Sequence, residues 1–306
     1  KLIHKPSAIH YHRRSTYLQS FLHTLEIEQW NSLNQLARTL WFENTISGPD
    51  LEYSRFSVEI FKLYPHYCTW SHVPRQNGGY VLQNNSPDST LTINADLMNG
   101  WWNIFKRLTN GKLTSTTRSA NTFQLYKDYY QLPNSEIANT LSKNFGHNQG
   151  VWDTFLKYLN HVYTIGNLSP SGANPGGGLD LWANKLSKLK QQWFDQNSET
   201  RQEIYNNHNS NNTVLAKWSS LLWQSYNSSD NIQNWKSFID DHFLNEYVDS
   251  DYKLPTLNFD LSNDDSIISL LDKLTEIIIK RGTAISNKAN KSISFDAIEH
   301  YSIIFE

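Results

Sequence analysis

The stretch from residue 164 to residue 180 has the most unusual combination of small, polar and turn-forming residues in the chain, and it contains three consecutive glycines. Gly-rich loops that lead into a helix expose backbone N–H groups, which bind anions with help from the helix dipole. We therefore expect a small-ligand or nucleotide-type pocket here. A purely structural loop is the alternative, because the carboxylate of Asp180 would oppose an anion at that helix end. The residues that we expect to contact the ligand are Thr164, Asn167, Asn174 and Asp180.

Tryptophans add recognition surfaces to this prediction. Indole faces stack on bases or sugars, and a guanidinium group binds phosphate. The residues of this kind that we expect to line the pocket are Trp101, Trp102, Arg107 and Trp182. The alternative is that Trp101, Trp102 and Phe105 are core residues, because their spacing is helical.

Histidine groupings are the other sites where chemistry could occur. His10 and His12 form one metal-like pair, and His66, Cys68 and His72 form another group. Neither grouping has a further ligand close in sequence, so we predict no metal site and assign these residues structural roles. The acid–base candidates nearest to the predicted pocket are Asp180, His161 and His147. Whether the protein is an enzyme stays open, because the sequence alone does not bring these groups together.

Common catalytic and cofactor motifs are absent from the sequence. It contains no G-x4-G-K-[ST], G-x-G-x-x-G, G-x-S-x-G or H-E-x-x-H pattern. This absence argues against the common nucleotide-binding, hydrolase and metalloprotease architectures, and it does not exclude a rarer enzyme. We expect no cofactor. The net charge of −2 and a pI near 6.6 argue against a general binder of duplex nucleic acid.

Apolar residues recur mostly at spacings of three and four, which is the period of an amphipathic helix. Alternation at Phe56, Val58 and Ile60 instead predicts a strand, which residues 80–83 and 91–94 could join. We predict a mainly α fold with a small antiparallel β-sheet (α+β) and a helical bundle-like core. Polar composition predicts a solvated loop or frayed helix over 195–213. The predicted helical stretches are 18–25, 30–41, 98–108, 137–141, 152–163, 179–193, 214–226, 235–247, 264–281 and 294–305.

The length favours a single large globular domain over residues 1–306, with a possible subdivision near 195–213 or 249–263. The one cysteine excludes an intramolecular disulfide, and no apolar run is long enough to cross a membrane. We expect a cytoplasmic protein. Secretion stays an alternative, because a removed leader would leave the same start at Lys1.

A short motif gives a resemblance. The sequence Tyr163-Thr164-Ile165-Gly166-Asn167, a loop with Asn174, and the helix start Asp180-Leu181-Trp182 resemble a group of uncharacterised bacterial proteins of unknown function. Thinner likeness extends over about residues 50 to 282. Those proteins are expected to carry an Arg-Gly pair soon after the loop asparagine, whereas this chain has Pro175-Gly176. The resemblance implies a bacterial family and supplies no mechanism.

Three functions follow from these observations. The leading hypothesis is a bacterial protein with a small-ligand pocket around the 164–180 loop. The second is a protein–protein interaction module of a defence or stress system, because aromatic residues are enriched at interfaces. The third is a secreted carbohydrate-binding protein that uses its aromatic side chains as platforms. The oligomeric state is not predicted.

Overall fold

The computed structural model describes residues 60–74, 80–85, 92–93, 95–100, 102–109, 134–161, 165–170, 182–207, 221–255 and 261–292. Of the residues that can be interpreted, 63% are helical, and a small three-stranded antiparallel sheet accompanies them. This confirms the predicted mainly α, α+β fold class.

The strands are β1 (Ser71–Pro74), β2 (Tyr80–Gln83), β3 (Thr92–Ile93), β4 (Ala95–Leu97) and β5 (Leu168–Pro170). The helices are α1 (Trp102–Leu108), α2 (Asn134–Phe145), α3 (Gln149–His161), α4 (Trp182–Leu189), α5 (Ser198–Asn206), α6 (Asn231–Asp241) and α7 (Asp264–Ser292). A π-helix (Lys190–Phe194) continues α4, and short 3₁₀ helices occupy Ile165–Asn167 and Asn245–Tyr247. Residues 221–225 are also helical.

The three-stranded sheet has the order β1-β2-β3, and both pairs are antiparallel. Its first strand among the described residues lies at 71–74, and the predicted strand is wrong at Ile60. Ile60 is helical, and it is buried together with the adjacent Phe61. Strand alternation cannot place two consecutive side chains in one core, whereas a turn of helix can. Phe56 and Val58 lie outside the described residues.

Helix α7 packs against α3 and against the 3₁₀ turn at Ile165–Asn167. Its buried residues Ile267, Leu271, Leu274 and Ile278 recur at spacings of three and four, as the periodicity predicts. The predicted stop at Gly282 is wrong, because the helix continues to Ser292. Gly282 is buried inside the helix, and a Cβ atom placed on Gly166 would lie 2.8 Å from its backbone nitrogen.

A second group of buried side chains joins α4, the π-helix and α6. It includes Leu186, Trp193, Phe194, Trp235 and Phe238, which are each at most 4% exposed. Of the two alternatives predicted over 195–213, the helix is the one found at Ser198–Asn206, which form α5, and the loop is wrong there. The side chain of Asn197 caps that helix by accepting from Thr200 N at 2.8 Å.

No helix among the described residues combines the length and the apolar character needed to cross a bilayer. The predicted helical stretches at 18–25, 30–41 and 294–305 lie outside the described residues. The single-domain organisation stays a prediction.

Candidate active site

Four side chains form a continuous hydrogen-bonded array, which we call the relay: Ser225, His66, Tyr226 and Asp241. Ser225 Oγ lies 2.9 Å from His66 Nδ1, and the other ring nitrogen, Nε2, lies 2.6 Å from Tyr226 Oη. Tyr226 Oη donates to Asp241 Oδ2 at 3.1 Å. The same carboxylate oxygen is 3.4 Å from His66 Nε2. The serine hydroxyl thus contacts the imidazole, and the tyrosine hydroxyl links the imidazole to the carboxylate.

The directions of these bonds follow from the inventory of donors. The Tyr226 hydroxyl has one proton and gives it to the carboxylate, so its oxygen accepts from His66 Nε2–H. A neutral imidazole that carries its proton on Nε2 has a lone pair on Nδ1. Ser225 therefore donates its hydroxyl proton to Nδ1. This is the arrangement in which a histidine can take a proton from a serine.

The turn that holds His66 is fixed on both sides by buried tyrosines. Tyr64 and Tyr67 are at most 2% exposed, and successive backbone bonds such as Tyr67 N to Tyr64 O keep the segment tightly wound. Two large anchored rings leave the intervening side chain little freedom. The His66 side chain keeps 22% of its surface exposed, so the imidazole lies at the rim of the core.

The backbone beside Ser225 is held by donors from two other helices. The Tyr226 carbonyl accepts from Trp193 Nε1 at 3.1 Å and lies 3.4 Å from Arg201 Nη1. Trp193 belongs to the π-helix. Its wider turn rotates the directions in which its side chains point relative to those of α4. Tyr226 N continues the helix of residues 221–225 by donating to Leu222 O at 2.8 Å.

Asp241 is the last residue of α6, and the chain leaves this helix in a fixed direction. Leu244 N donates to Ile239 O at 2.8 Å and Phe243 N to Asp240 O at 3.2 Å, which is the Schellman pattern. Phe243 has the left-handed φ of 55° that glycine normally supplies at this position. A bulky residue in this conformation stores strain, and such strain is common beside functional sites.

Burial shapes the proton affinity of the relay. It lowers the pKa of His66, while the nearby Asp241 carboxylate partly offsets that effect. Burial also raises the pKa of Tyr226, and Asp241 raises it further. The imidazole is therefore neutral at pH 7 and the phenol keeps its proton, which is the charge state that the hydrogen-bond directions require.

The predicted pocket residue Asn167 lies in a different polar cluster, which is fully buried. Its Oδ1 accepts from Asn99 N at 3.0 Å, and its Nδ2 donates to Asn99 O at 2.8 Å. Asn167 O also accepts from Met98 N at 2.8 Å. These bonds continue the β4–β5 ladder, in which Leu97 pairs with Leu168, by one further step. The side chain of Asn167 thus acts here as a substitute for strand backbone.

Gly166 and Arg281 lock this cluster onto α7. A Cβ atom on Gly166 would lie 1.9 Å from Ile278 O, so only glycine fits. The buried Arg281 Nη1 donates to Gly166 O and Leu168 O, both at 2.8 Å. The other terminal nitrogen, Nη2, donates to Tyr64 Oη at 2.7 Å and to His242 O at 3.2 Å.

Arg281 thereby connects the Ile165-Gly166-Asn167 turn with two of the three segments that carry relay residues. Tyr64 precedes His66 by two positions, and His242 directly follows Asp241. The guanidinium group satisfies its N–H groups with carbonyls and a phenol rather than with a carboxylate. The motif that the sequence analysis singled out therefore positions the relay indirectly.

The other predicted pocket residues are placed as follows. Thr164, Asn174, Asp180 and Trp101 lie outside the described residues. Trp102 and Trp182 begin α1 and α4, and their side chains are not described. Arg107 is exposed on α1. The pocket around 164–180 stays a prediction.

The two acid–base candidates that are described also have structural partners. His147 Nδ1 lies 2.7 Å from Asp264 Oδ1, at the N-termini of α3 and α7. His161 is buried, and its Nδ1 lies 2.8 Å from Lys157 O in its own helix. Neither is part of the relay.

Within the described part of the chain, no group of three or more His, Cys, Asp or Glu residues is placed to hold a metal ion. In the metal-like grouping, Cys68 is exposed and bonds to Pro65 O, whereas His66 faces Ser225. His10 and His12 lie outside the described residues.

Sequence reasoning missed the relay, because His66 lies 159 positions from Ser225 and no local motif joins them. Comparison with known proteins adds no assignment: no family model, curated protein or solved structure matches the chain.

Proposed function

We propose that the protein is a hydrolase or acyltransferase that uses Ser225 as its nucleophile and His66 as its general base. The observation that carries this proposal is the unbroken relay from a half-buried serine hydroxyl to a carboxylate. The side chains of His66 and Asp241 are 22% and 28% exposed, so the array opens to the surface. An ester or another activated acyl compound is the substrate class that suits this chemistry.

The proposed reaction has two halves. Ser225 Oγ attacks the acyl carbon while its proton moves to His66 Nδ1, and the bond to the leaving alcohol breaks as the imidazolium returns that proton to it. Water then attacks the acyl-serine with His66 again as base, which releases the acid and restores the serine. Tyr226 and Asp241 hold the imidazole in the required tautomer and stabilise its positive charge.

Several predictions from the sequence are compatible with this proposal. We propose, on the motif resemblance and the single cysteine, that the protein is bacterial and cytoplasmic, a compartment in which thiols stay reduced. The predicted contacts from the 164–180 loop remain a proposal for how a substrate is held. The interaction hypothesis has less support, because many aromatic side chains are core residues. Among them are Trp152, Trp193 and Trp235.

The test is the hydrolysis of p-nitrophenyl esters of short acids by purified protein. Ser225→Ala should reduce the rate by at least about 100-fold, since it removes the nucleophile. The matched control is Ser237→Ala, which removes a hydroxyl on α6 that accepts from Gln233 Nε2 at 3.0 Å. Equal rates for wild type and Ser225→Ala would refute the proposal.

A further inference from the structure

Arg201 is a buried cation beside the relay. Its side chain is 1% exposed, although the polar composition of residues 195–213 predicts a solvated segment. Its Nη2 donates to Ser228 O at 3.0 Å, and its Nη1 lies 3.4 Å from Tyr226 O. Its Nε is buried without a hydrogen-bond partner, and no carboxylate forms an ion pair with it among the described residues.

Such an arrangement is costly for stability. A buried guanidinium without a carboxylate loses its hydration, and carbonyl oxygens return only part of that loss. Burial accordingly lowers the pKa of Arg201. An apolar side chain would fill the same space at lower cost, so stability alone does not account for an arginine here.

The partners of Arg201 indicate what it does. Both carbonyls belong to the segment that follows Ser225, and Tyr226 supplies one of them. The guanidinium fork spans positions 226 and 228, so it fixes the direction in which the chain leaves the helix of residues 221–225. The hydroxyl of Tyr226 meets His66 Nε2 at 2.6 Å, and a small rotation of this backbone would separate the two atoms.

We propose that Arg201 is a positioning residue for the relay: it acts through the Tyr226 backbone to keep the phenol hydroxyl on His66. This inference rests on the proposed function only for its catalytic consequence. The hydrogen bond between Tyr226 and His66 can be measured whether or not the protein hydrolyses esters.

The experiment is a double-mutant cycle with Arg201→Met and Tyr226→Phe, read out by NMR titration of the His66 ring and by the ester hydrolysis rate. Arg201→Met should move the His66 titration midpoint in the same direction as Tyr226→Phe, and the double variant should move it no further than Tyr226→Phe alone. The ester rate should fall by about 10-fold or more in Arg201→Met. Arg201→Lys should recover only part of the effect, because an ammonium lacks the planar fork.

Lys253→Met is the matched control, because it removes a cation that is 74% exposed and pairs only with Asp251 among the described ion pairs. An unchanged His66 titration midpoint in folded Arg201→Met would overturn the positioning role. So would a double variant whose midpoint shift equals the sum of the two single shifts. If the wild type hydrolyses no ester, but Arg201→Met and Tyr226→Phe still share the shift of the His66 titration midpoint, the proposed function is overturned and the role of Arg201 stands.

Discussion

Replacing Gly166 by alanine tests how the Ile165-Gly166-Asn167 turn is fixed to α7. The new Cβ would lie 1.9 Å from Ile278 O and 2.8 Å from Gly282 N, both of which are backbone atoms. An ordinary contact between carbon and oxygen is about 3.3 Å, so the two segments would have to separate by roughly 1.4 Å. A flexible side chain could move aside by that distance, but helix backbone cannot do so without breaking other contacts.

The expected cost follows from those contacts. Arg281 Nη1 bonds Gly166 O and Leu168 O at 2.8 Å, and a further 1.4 Å would exceed hydrogen-bonding range. Overpacking costs about 1–3 kcal/mol, and an unsatisfied buried acceptor costs about 1–3 kcal/mol more. We expect Gly166→Ala to lower the free energy of unfolding by about 3–5 kcal/mol, which is a large fraction of a typical total.

Urea unfolding followed by far-UV circular dichroism measures this change. Gly100→Ala is the matched control, because a Cβ atom there meets nothing within 4 Å and the φ of Gly100 is not left-handed. We expect it to change stability by no more than about 0.5 kcal/mol. If Gly166→Ala unfolds at the same urea concentration as Gly100→Ala, the close approach to α7 is wrong, and the role given to Arg281 loses its basis.

Three further predictions concern the polar groups. Tyr226→Phe should slow ester hydrolysis by about 10-fold, because only the Asp241 carboxylate, 3.4 Å away, then holds His66 Nε2. The thermal unfolding midpoint should stay within a few degrees, and an unchanged rate would exclude Tyr226 from the relay. Arg281→Met should lower the free energy of unfolding by about 3 kcal/mol or more, since buried carbonyls lose their donor, and denaturant titration would show this. Asp264→Asn should cost about 1 kcal/mol at pH 7, because hydrogen bonds from Asn148 N and His147 lower the pKa of Asp264. This difference in the free energy of unfolding should be complete above the ordinary aspartate pKa, near pH 4, and should disappear as the pH falls through the lowered pKa of Asp264. A difference that persists in acid would contradict the assignment.

Local patterns predicted the helices better than the site. Apolar spacing placed α3 and α7 correctly, because each helix buries one stripe of its own surface. The same approach failed at Gly282, where glycine looked like a helix stop. In the structure α7 continues through Gly282, whose backbone nitrogen faces Gly166, a residue more than 100 positions away.

The site could not be predicted because its residues meet only in three dimensions. Asn167 stood out in the sequence as a ligand contact, which stays a prediction, and the structure shows its amide bonded to the Asn99 backbone. His66 stood out as part of a metal-like grouping, and in the structure its Nδ1 lies 2.9 Å from Ser225 Oγ. Residue types marked the unusual positions, whereas tertiary contacts determine what each of them does.

Fluorophosphonate labelling tests most directly whether His66 activates Ser225. Serine attack on phosphorus expels fluoride and leaves a stable adduct, which peptide mass spectrometry can locate. The account predicts one adduct, on the peptide that contains Ser225, and none in His66→Gln. The labelling rate should rise with pH around a midpoint below the ordinary histidine value of about 6.5, because burial lowers the pKa of His66 and only its neutral form accepts the proton. No adduct on Ser225, or equal labelling of His66→Gln, would contradict the account.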